Sequence, residues 1–306
     1  MTGFDALSAD ERTHRLERLA RKALIAYRLE DAPTCCSEIG DVGGVRFTVS
    51  EPGGEGFILQ ISPPGTPEDA VLRQIHWLLA LSRETTLVVP EPILGRTGTL
   101  YQHVSIQGVP GFRWCALFRR VEGATRADGW TSDRARRLGS LLAEIHGHAA
   151  RFRWPREVAE DRLDGAALDR LLRAAHLPDP LEHARLRDLA GVLRDVMEAL
   201  GEEEGAAGAI HGELDRRHAL FHEDEMRAIG FDRCRWGYFL YDLSVTCADL
   251  ASVDPEGTLR GPLLEGYHTV RPLPADAERL IDLFAILRHL LCVDRLNGIA
   301  DGASVA

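Results

Sequence analysis

The strongest constraint in this sequence is a change of hydrophobic period near Gly123. Upstream, short runs alternate apolar and polar residues between glycines and prolines; downstream, apolar residues recur at helical spacing over long stretches. A chain patterned this way keeps its strands and helices apart. It therefore folds as α+β and not as a βαβ alternation, with a small β-rich N-terminal lobe and a larger helical C-terminal lobe.

In the N-terminal part, Ser8 followed by Glu11 reads as a capping box, opening a helix that runs to about Tyr27. A turn-rich stretch follows. Strands are then expected at Val45–Ser50, Gly56–Ile61, Leu100–Val104 and Trp114–Val121, as an antiparallel meander. Gly53-Gly54, Pro63-Pro64-Gly65, Gly108 and Pro110-Gly111 punctuate them. A helix opened by Thr66-Pro67-Glu68-Asp69, with Val71, Ile75, Leu78 and Leu79 on one face, falls between the second and third strands, and Pro90-Glu91-Pro92 stops the chain before the third.

Beyond Gly123, helices are expected over Ser132–Phe152, Leu181–Leu200 and Ala275–Leu296, the last buried around much of its circumference. Ala219–Phe221 and Arg227–Phe231 form a small hairpin turning at Glu223-Asp224. The expected division is residues 1–122, residues 123–297 and a frayed tail at 298–306, with Glu122-Gly123-Ala124 as a hinge.

Composition narrows the function classes. Lys+Arg 36 against Asp+Glu 47 leaves −11, a sign that disfavours nucleic acid and anionic membrane as partners. No apolar run approaches membrane-spanning length and the opening residues are charged, so neither a span nor a secretory leader is expected, and a cytoplasmic location is. The six cysteines are scattered with no C-x-x-C, which predicts reduced thiols in or near the core. The arginine-for-lysine and Ala/Gly-rich usage points to a GC-rich bacterial gene. The only lysine is Lys22 and the only asparagine Asn297, so chemistry needing either residue must use those positions. Neither phosphate-cradling glycine motif, G-x-x-x-x-G-K-[ST] or G-x-G-x-x-G, is present.

The informative segment is His211–Leu243, HGELDRRHALFHEDEMRAIGFDRCRWGYFLYDL. It resembles the aminoglycoside phosphotransferase/choline kinase family, whose catalytic stretch reads H-G-D-x-x-x-x-N, then a short hairpin, I-D-F and a Y-D-L-type helix start. The N-terminal helix, Phe57–Pro64, Leu117–Arg120, Leu138–His146 and Leu264–Tyr267 follow in the family's order, so the resemblance covers nearly the whole chain. It implies a two-lobed protein-kinase-like fold and phosphoryl transfer from ATP. That transfer asks for a carboxylate to position the attacking hydroxyl, two metal-holding groups, and a cation on the phosphates paired to a helix carboxylate.

Carried over residue by residue, the resemblance yields degenerate motifs. Glu213 stands for the catalytic Asp, His218 for the metal-binding Asn, and Gly230 for the metal-binding Asp of I-D-F. Gln60 stands for the phosphate-contacting cation on the third strand and Gln74 for its carboxylate partner on the helix. Glu keeps the charge but displaces the carboxylate by about 1 Å, a shift worth about a hundredfold in rate. Gly removes a ligand, His offers nitrogen where Mg²⁺ wants oxygen, and two amides replace an ion pair. His211-Gly212 and Tyr241-Asp242 are intact, Asp242 being the family's support for the catalytic loop.

Each candidate has two readings. Glu213 is a surviving general base or metal ligand, or an ordinary loop carboxylate. Asp232 replaces the lost metal ligand if a strand continues through Gly230, or it pairs with Arg233 or Arg235. His211, Asp215 and His218 with Glu213 match no transition-metal spacing. Cys234, between two arginines, reads as packing. By analogy the acceptor side is residues 155–185 and 253–275, where Glu160, Asp161, Asp164 and Asp169 would attract an amine.

Three functions follow: a pseudokinase with no or weak ATP/Mg²⁺ binding that holds a small molecule, a peptide or a partner enzyme; an active small-molecule kinase using Glu213 as base with Asp232 as metal ligand; or acid–base chemistry without phosphoryl transfer, drawing on Glu213, Asp215 or His218 with His211 nearby.

Overall fold

The computed structural model describes residues 4–29, 34–38, 44–50, 56–125, 129–175, 180–201 and 203–304; the Gly53-Gly54 pair lies outside them. The chain divides into two compact units, Met1–Arg83 with Val88–Val121, and Glu84–Leu87 with Glu122–Ala306. No helix among the described residues is long and apolar enough to cross a membrane.

The first unit opens with α1 (Ala9–Leu24). Its start is fixed by the capping box: Glu11 N donates to Ser8 Oγ at 3.2 Å, and Ser8 N donates to Glu11 Oε2 at 3.1 Å. The sheet comprises β1 (Thr34–Glu38), β2 (Val45–Ser50), β3 (Gly56–Ile61), β4 (Gln102–Val104) and β5 (Arg113–Arg119). Phe47, Val49, Phe57, Leu59, Ile61, Cys115 and Leu117 alternate along β2, β3 and β5, and they form one core with Leu16, Leu19, Ala20, Ala23 and Leu24 of α1. The opposite face of β3 carries Gln60, which meets α2 (Glu68–Glu84).

Two expectations need correction here. The stretch read as turns holds strand β1, paired antiparallel to β2 from Thr34↔Ser50 to Glu38↔Arg46. The sheet is antiparallel but not a meander, because its order is β1-β2-β3-β5-β4. The α2 crossover and the proline stop carry the chain to the outer edge, where β4 forms, and β5 returns to the inner place beside β3.

The second unit contains α3 (Ser132–Ala149), α4 (Gly165–Ala174), α5 (Pro180–Gly201), α6 (Phe239–Ala251), α7 (Arg260–Val270) and α8 (Ala277–Ser304). Two antiparallel ribbons join them: β6 (Ala207–Ile210) with β9 (Arg235–Tyr238), and β7 (Ala219–His222) with β8 (Glu225–Ala228). The β7–β8 hairpin turns at Glu223-Asp224 as expected, Glu223 taking a φ of 52°. Ala124 of the expected hinge exchanges backbone hydrogen bonds with Phe221 of that hairpin, at 2.9 and 3.0 Å. Helix α8 runs through Gly298 to Ser304, into the segment where the sequence predicts fraying.

Helices α3 and α7 cross with their backbones in contact. A Cβ on Gly139 would lie 2.0 Å from Leu263 O, and one on Gly266 2.0 Å from Arg136 O. Ser140 Oγ donates to Gly266 O at 3.0 Å across the same crossing. Gly147, further along α3, has open space around it. Gly139→Ala or Gly266→Ala is therefore expected to cost about 3 kcal/mol or more by overpacking. Gly147→Ala should stabilise by about 0.5–1 kcal/mol through helix propensity; urea unfolding midpoints of the three variants check both signs.

Candidate functional site

Residues 211–218 form a loop between β6 and β7, and the buried carboxylate of Asp242, in the first turn of α6, holds its start. Asp242 Oδ2 accepts His211 N and Oδ1 accepts Gly212 N, each at 2.7 Å. Gly212 sits at φ 82°, where a Cβ would strike Arg233 O at 2.6 Å. One turn further along α6, Thr246 Oγ1 donates to Leu214 O at 2.8 Å. Behind Asp242, His146 of α3 donates from Nε2 to Oδ2 at 3.2 Å, and its Nδ1 lies 2.9 Å from the Tyr267 hydroxyl of α7.

His211 belongs to the same scaffold. Its Nε2 donates to Ile229 O at 2.9 Å, and its Nδ1 accepts Glu213 N at 3.3 Å. The ring is wholly buried with both nitrogens used, so the geometry gives it a supporting part and not the catalytic one considered from sequence. Burial pushes both His146 and His211 below the ordinary 6.5, with added lowering from Arg271 at His146 and from His218 at His211, against the pull of Asp242 in both.

The charged residues of the loop are tied to one another. Asp215 is buried, accepts Arg217 N at 2.8 Å and Arg217 Nε at 2.9 Å, and lies 3.0 Å from His218 Nδ1 at a poor hydrogen-bonding angle. Burial alone would raise its pKa, but His218 and Arg217 outweigh burial and hold the carboxyl well below the usual range. Glu213 directs Oε2 toward Arg233 Nε at 3.5 Å and Oε1 toward Arg217 at 3.9 Å. Arg216 grips Asp249 of α6 through Nε at 2.8 Å.

Position 230 departs most from expectation. The strand does not continue: β8 ends at Ala228, Gly230 takes φ 81° and ψ 40°, and Phe231–Arg233 form a single 3-10 turn. Asp232 therefore does not share a strand face with Gly230, and the premise for its taking over as metal ligand falls. The space in front of Gly230 holds the His218 ring: a Cβ on Gly230 would lie 2.1 Å from His218 Cδ2 and 2.8 Å from Nε2. Residues 218 and 230 are packed against each other.

In the first unit, Gln60 and Gln74 meet as a reciprocal amide pair, Gln74 Nε2 donating at 3.0 Å and Gln60 Nε2 at 3.3 Å. Lys22 lies on α1 and donates to Ser105 O at 2.8 Å. The side chain of Asn297 lies outside the described residues. Cys115, Cys234 and Cys247 are buried free thiols, and Cys292 is half-buried.

Each acidic residue expected to attract an amine already faces an arginine. Glu160 pairs with Arg162 at 2.8 Å, Asp161 with Arg235 at 3.5 Å, Asp164 with Arg162 at 3.4 Å, and Asp169 with Arg194. Sequence reasoning missed these pairings and also Arg162, whose guanidinium stacks 3.6 Å over the Trp236 ring. Charge along the chain was visible, but two of these pairs are made by tertiary contact: Asp161 meets Arg235 where the segment bonds to β9, and Asp169 meets Arg194 between α4 and α5.

Buried His148 is likewise pushed below 6.5, against the pull of Glu84, and with His146 and His211 it sets a pH dependence. Below pH 6.5 the unfolded chain takes up protons that the folded chain resists, so folding stability is full above that pH and is lost as pH falls. The expected slope is up to about 1.4 kcal/mol per pH unit for each histidine. Denaturant unfolding between pH 7.5 and 5.5 measures it, with a shallower slope expected in His146→Gln. Asp215, depressed from its ordinary 3.8, adds its own loss only in stronger acid.

Comparison with known proteins follows the same lines. A family model described as "Phosphotransferase enzyme family" matches residues 40–280. No curated protein sequence matches. Among solved structures, the microcompartment-associated aminopropanol kinase superposes with a TM-score of 0.76 at 23% identity, over 91% of this chain and 88% of that one. An amicoumacin kinase solved with AMP-PNP and Ca²⁺ gives 0.73 at 17% identity, over 94% and 89%. The macrolide 2'-phosphotransferase from Brachybacterium faecium gives 0.58 at 16%, over 94% and 93%. These likenesses establish the fold, a β-rich lobe and a helical lobe of protein-kinase-like type, and with the family match across most of its length the chain belongs to the phosphotransferase enzyme family.

Proposed function

We propose that this chain is a pseudokinase-like member of its family, impaired in ATP–Mg²⁺ phosphoryl transfer, that acts by binding a small molecule, a peptide or a partner enzyme. The observation that carries the reading is the contact between His218 and Gly230. An oxygen ligand at position 230 needs a Cβ, and the imidazole stands where that Cβ would go. The replacement is paired, so each residue fills or vacates the volume the other requires.

The residues present fit a magnesium–nucleotide complex poorly. Mg²⁺ takes oxygen ligands in a near-octahedral set, whereas these two positions offer an imidazole and a glycine. At the position the family uses for a cation on the nucleotide phosphates stands Gln60, neutral and hydrogen-bonded to an equally neutral Gln74. The alternatives draw less support: Asp215 is committed to Arg217 and His218, which disfavours acid–base work, and a kinase built on Glu213 would have to draw that carboxylate away from Arg233.

Thermal unfolding with ATP and Mg²⁺ up to millimolar concentrations is expected to show no shift, whereas ligand at a hundred times its Kd would add about 2.7 kcal/mol. Metal-dependent stabilisation together with ATP turnover that Glu213→Ala abolishes would overturn the reading in favour of an active kinase. Turnover of a substrate without nucleotide, lost in Asp215→Asn, would favour the third reading.

The packing account has its own test. Gly230→Asp alone is expected to lose about 2–4 kcal/mol of stability, from overpacking plus the left-handed backbone. His218→Asn combined with Gly230→Asp should recover at least half of that loss. A double-mutant cycle by chemical denaturation reads the coupling, and additive losses would remove the steric argument.

A further inference from the structure

His218 has two edges with different surroundings. Its Nδ1 is buried and lies 3.0 Å from Asp215 Oδ1. Nε2, on the opposite edge, makes no hydrogen bond among the described residues and is open to solvent, the side chain keeping 13% of its surface exposed. The ring is set in place by its neighbours. An added Cβ on Gly230 would meet Cδ2 at 2.1 Å, and the His211 ring stands 5.8 Å away, centre to centre.

A neutral imidazole carries one ring proton, and its position decides what the open edge can do. With the proton on Nε2, the Nδ1 lone pair would face a carboxylate oxygen 3.0 Å away. With the proton on Nδ1, the same contact is attractive even at a bent angle. The proton therefore belongs on Nδ1, and the lone pair is on Nε2. That leaves few ligand classes. A phosphate or carboxylate would bring lone pairs of its own to this edge. A transition-metal ion needs further ligands, and no group of three His, Cys, Asp or Glu residues is placed to hold one among the described residues. A hydrogen-bond donor needs neither, and a hydroxyl is the smallest that suits so narrow an opening.

We propose that the ligand of this loop is a neutral molecule recognised through a hydroxyl, which donates its hydrogen bond to His218 Nε2. The proposal rests on the pseudokinase reading and gives it a ligand chemistry unlike that of a nucleotide phosphate.

The full chain labelled with nitrogen-15 histidine, followed by two-bond proton–nitrogen NMR at pH 8, reports which ring nitrogen is protonated. His218, assigned by the signals lost in His218→Asn, is expected to carry its proton on Nδ1. Phenol should then move the Nε2 resonance saturably. Anisole, which lacks the donor, should bind about tenfold more weakly, and benzoate should leave Nε2 unmoved. Should His218→Asn fail to fold, diethylpyrocarbonate tests the wild-type chain directly. An open, unprotonated ring nitrogen attacks its carbonyl, the ring proton passes to the departing ethyl carbonate, and carbon dioxide and ethanol leave. Peptide mass spectrometry is expected to find His218 modified at least tenfold faster than buried His146 and His211, and protected by phenol. A proton on Nε2, no response to phenol up to its solubility, equal binding of anisole or benzoate, or modification no faster than at His146 would overturn the proposal. Stabilisation by ATP and Mg²⁺ would instead overturn the reading beneath it, whichever nitrogen holds the proton.

Discussion

The carboxylate of Asp242 is the point on which the rest of the second unit's site depends. It is buried, and its two oxygens take backbone N–H groups from His211 and Gly212 while also receiving the His146 imidazole. Burying a carboxylate is costly unless several donors replace water, and three donors do so here. That requirement reaches outward through His146 to the Tyr267 hydroxyl. The ring and the hydroxyl meet because α3 and α7 approach to backbone contact at Gly139 and Gly266. The geometry of the loop is therefore underwritten by two glycines that never touch it.

On that scaffold, the residues that the sequence resemblance sets at working positions meet in pairs. Gln60 and Gln74 make a reciprocal two-bond contact between β3 and α2 without charge. His218 and Gly230 trade volume across one contact, the ring entering where the smaller residue leaves room. Each pair keeps its volume filled, and the two amides keep their hydrogen bonds as well. A lone change of either kind would leave a buried unpaired amide or a void, at about 1–3 kcal/mol. Such pairs are what the proposed loss of metal and nucleotide binding would leave in a chain selected to stay folded.

The legibility of the sequence follows from how local each determinant is. The Ser8–Glu11 box and the strands Val45–Ser50 and Gly56–Ile61 could be read to the residue, because capping and alternation are written in consecutive side chains. Strand β1 could not be read, since TCCSE has no apolar alternation and becomes a strand only by pairing with β2. Asp232 was placed on a continuing strand because nothing in I-G-F-D announces a left-handed Gly230, a conformation set by the turn into Phe231–Arg233. The contacts of Gln60 with Gln74 and of Asp242 with His211-Gly212 join positions that motif order already marked along the chain. The pairing of His218 with Gly230 is a contact across the β7–β8 hairpin and has no signature along the chain.

Helix α6 joins these themes. Its Asp242, Thr246 and Asp249 reach three successive parts of the loop, at His211-Gly212, Leu214 and Arg216, so the loop is fixed along its length by one rigid element. Ser244, Cys247, Ala248 and Ala251 border a cavity where close packing would otherwise place larger side chains. A helix clamped on one side and under-packed on another has its position set by the clamped side. Filling the cavity would add contacts without moving the clamp, whereas breaking the Asp242 clamp would release the loop. In this chain the loop's order is built into α6 itself, so its architecture does not depend on which side chains stand at positions 213 and 218.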